Sequence, residues 1–227
     1  MSNKKENDED DIDIKYIIAA CCAFPVVLTI IIICISYSMS SSKERIVNAK
    51  SKYRCDYVNF SLNTKIKVYS VIPNEELFYK IEGNILRSVT DPLTLYDERQ
   101  NHKEIMYADD KYHYFTQDSH IIKSKISNEI LCEMEGKYKK TYNGDSYDLY
   151  ANNTMVGIAK FNKKNDYGDV ETTSGDLIAE FSRDYLTKDY TVQINENNIF
   201  TDEVLLMIFA SYVSDYSYDD SINKKNN

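Results

Sequence analysis

The chain is predicted to be all-β with one buried helix: a closed antiparallel β-barrel around a C-terminal apolar helix, preceded by a single transmembrane helix. Three observations predict it. An uncharged run of twenty residues lies near the N-terminus, a series of short β-type runs follows it, and one late segment is apolar on every helical face.

The first element is Tyr16 to Ile35, YIIAACCAFPVVLTIIIICI. At about 1.5 Å rise per residue it spans about 30 Å, the thickness of a hydrocarbon core. Pro25 is tolerated in such a helix. The leader MSNKKENDEDDIDIK is acidic, whereas a cleaved signal has a basic n-region and an apolar core of about 7 to 15 residues. The segment therefore reads as a retained anchor. The partition that follows is an acidic tail (1–15), a transmembrane helix (16–37), a polar and basic juxtamembrane linker (38–64), a barrel domain (65–217) with its central helix at 202–214, and a polar tail (218–227).

Lys4, Lys5 and Lys15 precede the span, whereas Lys43, Arg45, Lys50, Lys52 and Arg54 follow it. The positive-inside bias puts the C-terminal domain on the cytosolic side of its membrane. The same five cations can rest on anionic headgroups at about 1 kcal/mol each, or act as a topology signal alone. Asn59-Phe-Ser and Asn152-Asn-Thr fit the glycosylation sequon, which matters only for a lumenal domain. In that setting Cys55 and Cys132 are the pair available for a disulfide.

The β-type runs are KIKVYSV (65–71), LFYKI (77–81), LTLY (93–96), EIMYA (104–108), YHYF (112–115), HIIKSKI (120–126), EILCEM (129–134), MVGIAKF (155–161), LIAEF (177–181) and YTVQI (190–194). Several alternate apolar and polar residues, and Asn, Asp, Gly, Pro or Ser bounds each of them. Ten or more strands at this spacing indicate a sandwich or barrel.

The closing element is Thr201-Asp202-Glu203 followed by VLLMIFASYV (204–213). Thr201 suits an N-cap, and the two acids suit the positive end of a helix dipole. A helix apolar all round must be enclosed, and at about thirteen residues it is short for a span. Sheet is what remains to enclose it. An internal echo supports a repeated meander. Glu82-Gly83, Asp91, Leu95-Tyr96 and Ile105 reappear in order as Glu135-Gly136, Asp145, Leu149-Tyr150 and Ile158, which suggests two similar halves.

The segments LTLYDERQNHKEI and YDLYANNTMVGIAKF, with YTVQI leading through an Asn-rich turn into the apolar helix, resemble the Tubby C-terminal-like superfamily, in particular its LURP-one-related branch. The resemblance covers Ile66 to Tyr216. It implies a twelve-stranded barrel around a central helix. The superfamily includes phospholipid scramblases and phosphoinositide-binding Tubby domains, so the resemblance also implies a role at lipid and, as a weaker branch, scrambling.

The formal net charge of −9 falls on the domain: from Tyr57 onward there are nineteen basic and twenty-eight acidic residues. Such a field repels phosphate backbones and argues against nucleic acid. No phosphate-cradling, nucleophile-elbow or zinc-protease pattern is present, and a non-enzymatic protein without a cofactor is expected. His102, His113 and His120 lack ligand spacing for a metal. Lys137, Lys139 and Lys140, with Lys163 and Lys164, are candidate headgroup contacts. The expected partners are the bilayer itself and either anionic lipid or a second protein.

Overall fold

Short alternating runs become strands with one apolar face, and that face has to be covered. The computed structural model describes residues 46, 48–58, 63–84, 92–111, 119–136, 145–162, 167–184 and 186–223. They belong to a compact unit, Glu44–Asn227. Its strands are β1 (Ser51–Val58), β2 (Asn63–Ser70), β3 (Glu76–Asn84), β4 (Leu93–Asp97), β5 (Lys103–Lys111), β6 (Ser119–Ser124), β7 (Ile130–Gly136), β8 (Asp145–Ala151), β9 (Thr154–Asn162), β10 (Tyr167–Thr172), β11 (Leu177–Arg183) and β12 (Tyr190–Ile194). Each pairs antiparallel with its chain neighbours, and β12 closes on β1 through Ser51 to Cys55 opposite Ile194 to Tyr190. The result is a closed twelve-strand up-and-down barrel.

Among the described residues one α-helix, α1 (Asp202–Asn223), follows β12. Every residue from Val204 to Ser214 is buried. Their neighbours lie on strands all around the barrel. Phe209 meets Phe181 of β11 and Tyr190 of β12, with ring centroids 5.4 and 5.1 Å away. Tyr212 stacks on Phe161 of β9 at 3.8 Å, and the Ser214 hydroxyl lies 3.4 Å from that of Thr64 on β2. The helix therefore occupies the barrel axis, and its apolar girdle is matched by inward Cys55, Val68, Ile81, Leu95, Ile122, Cys132, Leu149, Ala159, Val170, Ala179 and Val192. Full burial of one Leu or Ile stabilises by about 1.5–3 kcal/mol, so the helix and the sheet hold each other in place.

Five hairpins share one irregularity. The register shifts at Val68/Tyr69 in β2–β3, Leu95/Tyr96 in β4–β5, Ile122/Lys123 in β6–β7, Leu149/Tyr150 in β8–β9 and Val170/Glu171 in β10–β11. All five bulges lie toward the end of the barrel where α1 begins. A bulge raises local twist and bends its strand, so the set curves the wall toward that mouth. The internal echo superposes β3–β4–β5 on β7–β8–β9, with Leu95-Tyr96 and Leu149-Tyr150 at equivalent bulges. That is a shift of four strands, a third of the circumference, and not the two halves expected.

The barrel starts earlier than the sequence suggests. β1 falls inside the stretch expected to be linker (38–64), because Tyr53, Cys55 and Tyr57 alternate with Lys52, Arg54 and Asp56 and the charges mask the period. β8 and β10 also arise from polar segments, DSYDLYA and YGDVET. The helical backbone continues beyond the expected limit of 214 to Asn223, while the buried portion ends at Ser214. The acidic tail (1–15), the predicted span (16–37) and the run 112–115 lie outside the described residues. Among the described residues no helix is long and apolar enough to cross a membrane.

Candidate functional site

The turn from β12 into α1, NENNIFT, is fixed by its own side chains. Asn195 donates through Nδ2 to the Leu177 carbonyl at 2.8 Å. Asn197 Oδ1 accepts from the backbone N–H groups of Ile199 and Phe200 at 3.1 and 2.9 Å, an Asx turn that lets the chain reverse. Phe200 is buried, and the first helical turn carries Asp202 and Glu203. Between this turn and the barrel wall lies a cleft of about 440 Å³, lined by Lys50, Tyr53, Tyr79 and residues 197–203.

Two phenols from the wall close on the two acids. The Tyr53 hydroxyl donates to Asp202 Oδ2 at 2.8 Å, and the Tyr79 hydroxyl donates to Glu203 Oε1 at 2.7 Å. Lys50 Nζ stands 3.6 Å from Asp202 Oδ1. Arg99, just after β4, donates to the Tyr79 hydroxyl at 2.9 Å and forks onto Asp97 through Nε and Nη2 at 3.0 and 2.9 Å. Its guanidinium also covers the Phe78 ring at 4.4 Å. Asp97 further accepts from the Arg99 backbone N–H and from Gln100 Nε2.

Burial raises both phenol pKa values, and the neighbouring Asp202 and Glu203 charges add to it. Burial alone opposes ionisation of Asp97, but the Arg99 hydrogen bonds outweigh it and hold the carboxyl below its ordinary value. The Asp97 hydrogen bond in turn raises the Arg99 pKa. At neutral pH both phenols therefore keep their protons and donate to Asp202 and Glu203, buttressed by the Arg99–Asp97 pair. A raised phenol pKa is the wrong direction for a nucleophile or general base. The arrangement suits a hydrogen-bonding or cationic group, and it locks the start of α1 to β1 and β3.

Among the described residues the space around α1 is packed, with Val204 to Ser214 all buried. The gap beside Phe161, Phe209 and Tyr212 measures about 10 Å³, at the lower limit for one water. α1 occupies the space that a ligand takes in other closed barrels.

Of the residues singled out from sequence, the described ones do not converge on one site. Lys50 lines the cleft. Lys52 and Arg54 sit on the outer face of β1, where Arg54 pairs with Asp56 at 3.0 Å and with Glu75, and lies 4.7 Å over the Tyr69 ring. Lys43, Arg45, Lys137, Lys139, Lys140, Lys163, Lys164, Asn59 and His113 lie outside the described residues. Asn152 is exposed at the β8–β9 turn, with φ of 50°.

Cys55 and Cys132 are buried free thiols on β1 and β7. Those strands are diametrically opposed in the twelve-strand order, with α1 between them, so the fold does not bring them together as the disulfide considered for a lumenal domain. His102 stacks on Tyr96 at 4.2 Å and bonds Glu98, while His120 is buried against Tyr147. Among the described residues no group of His, Cys, Asp and Glu could hold a metal.

Sequence reasoning missed Tyr53, Tyr79, Asp97 and Arg99. Their only linear signal is the DERQ that follows LTLY, and the acids that Tyr53 and Tyr79 meet lie 149 and 124 residues away. Comparison with protein-family models, with curated proteins and with solved structures finds no match to this chain.

Proposed function

We infer that this chain is a single-pass membrane-anchored, non-enzymatic protein whose Tubby-like barrel binds anionic lipid headgroups, on the cytosolic side of the membrane that anchors it. The observation that carries the reading is the filled interior. With Val204 to Ser214 of α1 buried along the axis and a gap of about 10 Å³ beside Phe161, Phe209 and Tyr212, recognition belongs to the ends and outer face of the barrel. A closed twelve-strand barrel around a C-terminal helix is also what the Tubby-like resemblance implies.

The tether argues in the same direction. Ten residues separate Ile35, the last of the apolar run, from Ile46, which is already buried on the domain. At about 3.3–3.6 Å per residue that link reaches no more than about 40 Å. A barrel on so short a lead meets the adjacent surface at high effective concentration, and even weak headgroup contacts are then occupied. The basic groups Lys137, Lys139, Lys140, Lys163 and Lys164 belong to the β7–β8 and β9–β10 connections.

The test is flotation of the domain with vesicles of neutral lipid alone and with added phosphatidylserine or phosphoinositide. The reading expects binding that needs the anionic lipid and falls on charge reversal of Lys137, Lys139 and Lys140. Equal partitioning to both vesicle types refutes it and leaves a protein partner as the ligand class.

One observation favours a lumenal or cell-surface recognition domain instead: the Asn152 sequon stands exposed at a turn tip. Protease protection of native vesicles with a glycosidase shift decides between the two. The scrambling branch draws no support from α1, whose apolar residues face the barrel wall.

A further inference from the structure

Ligand pockets measure about 300–1,000 Å³ and favour the mouths of β-barrels. The cleft of about 440 Å³ at the start of α1 meets both conditions. The turn into α1 and the wall strands β1 and β3 border it, and its two phenols, Tyr53 and Tyr79, are buried. The lining decides which kind of group it takes. The first turn of a helix ordinarily attracts an anion. Here Asp202 and Glu203 stand in that turn and reverse the sign.

Donors around the cleft are already committed. The phenol protons of Tyr53 and Tyr79 go to Asp202 and Glu203, and the backbone N–H groups of Ile199 and Phe200 go to Asn197 Oδ1. What remains is acceptor. Each acid bonds a phenol through one oxygen and keeps a second without a hydrogen bond among the described residues. Asp202 Oδ1 has only Lys50 Nζ, at 3.6 Å, an ion pair longer than a hydrogen bond. The Lys50 side chain is 52% exposed, so its hold is loose. Two acids thus face one weakly held ammonium, and Arg99 is engaged behind them by Tyr79 and Asp97.

We propose that the cleft recognises a primary ammonium group, which binds Asp202 and Glu203 and leaves Lys50 to hold an anionic group on the same ligand. An ammonium nitrogen carries three N–H donors, and the two open acid oxygens accept them in charge-assisted hydrogen bonds. The phenols fix both acids beforehand, so little ordering is left for the ligand to impose. A quaternary ammonium fits less well. It has no N–H and is held by aromatic faces, whereas Arg99 already lies over the Phe78 and Tyr79 rings at 4.4 and 4.8 Å. Calcium takes about six to eight oxygen ligands, more than two acids supply. The site is independent of the membrane reading, and the lysines invoked there at 137, 139 and 140 take no part in it.

Calorimetric titration of the full chain in detergent micelles tests it, with ethanolamine phosphate and choline phosphate as the two probes. Both carry an ammonium beside a phosphate, but only the first has N–H donors. The wild type should bind ethanolamine phosphate with a Kd of about 1 mM or tighter and choline phosphate about tenfold more weakly. Asp202→Asn and Glu203→Gln should each weaken the first by about tenfold, whereas Glu82→Gln on the outer face of β3 should leave it unchanged. Equal affinity for the two probes, or saturation by neither, overturns the proposal on the wild type alone, even if the variants fail to fold. So does binding indifferent to both acids. Flotation with phosphatidylcholine vesicles, with and without phosphatidylethanolamine, then separates the sources. Binding that needs the ethanolamine lipid and is competed by ethanolamine phosphate assigns a headgroup, and its absence assigns a free amine.

Discussion

Tyr79 and Glu203 lie 124 residues apart in sequence and 2.7 Å apart in space, the phenol donating to the carboxylate in the first turn of α1. Through the same oxygen Tyr79 accepts from Arg99. One hydroxyl thus ties β3, the turn after β4 and the central helix at a single point. Its removal leaves Arg99 and Glu203 each short of a partner at a partly buried site. Tyr79→Phe is expected to destabilise the domain by about 1–2 kcal/mol. A double-mutant cycle with Glu203→Gln in urea unfolding should return a coupling energy of about 1 kcal/mol; additive effects would show that the bond contributes nothing.

The same phenols predict an alkaline limit. Tyr53 and Tyr79 have folded-state pKa values above the ordinary one, which is about 10. The folded form keeps protons that the unfolded chain releases, so this contribution is complete below about pH 10 and is lost as pH rises beyond it. Thermal melts from pH 8 to 12 should fall above pH 10, and the Tyr53→Phe, Tyr79→Phe double variant should show a shallower fall. Asp97 has the opposite sign: its pKa is depressed, so its contribution is present above about pH 4 and lost as pH drops through the folded value. Asp97→Asn should flatten that acid limb.

Enclosure of α1 makes a sharper demand. Leu205, Leu206, Met207 and Ile208 are successive residues, about 100° apart around the helix, and all four are buried. A helix lying on a surface would tolerate Ala at two of these positions. Here each substitution by Ala should cost about 2–5 kcal/mol, read from urea midpoints. One near-neutral position among the four would mean that α1 has an open side.

Much of this fold is legible in the chain. The alternating runs at 65–71, 77–81, 104–108 and 155–161 become strands, and the all-apolar 204–213 segment becomes the enclosed helix, because burial on every side leaves a sheet few alternatives. β1 is illegible because Lys52, Arg54 and Asp56 fill its outer face, and a basic stretch reads as linker. The cleft is less legible still. Tyr53, Tyr79 and Arg99 are ordinary strand and turn residues until barrel closure carries them to α1, and no linear spacing encodes a contact between β3 and a helix more than a hundred residues later. Glu180 is hidden for the same reason: inside LIAEF it looks like a solvated outer residue until Ile46 is seen bonded to it.

The two domain thiols should be inert in the native state. Burial pushes the Cys132 thiol up to about 12 and raises Cys55 as well, so neither supplies thiolate at neutral pH. Iodoacetamide at pH 8 should leave Cys55 and Cys132 unmodified in peptide maps of the folded chain and alkylate both in urea. A cross-linked Cys55–Cys132 peptide after mild oxidation would contradict the placement of β1 and β7 on opposite walls.

Backbone approach provides the last test. Gly157 on β9 faces inward at the β9–β10 pairing, and a Cβ there would stand 2.5 Å from the Glu171 carbonyl oxygen. That oxygen belongs to the backbone beside the β10–β11 bulge, where movement would disturb two ladders. Gly157→Ala should therefore cost about 1–3 kcal/mol, the range for overpacking a filled core. Gly175 is a control of another kind. It sits at φ +90° in the exposed β10–β11 turn with nothing within 4 Å of its would-be Cβ. Gly175→Ala carries only the left-handed backbone penalty, about 1–2 kcal/mol, and Gly175→Asn should recover most of that, since Asn tolerates positive φ. Asn at position 157 should be worse than Ala, because there the obstacle is space and not dihedral angle. The opposite ordering at either position would show that the wall of the barrel yields where the register says it cannot.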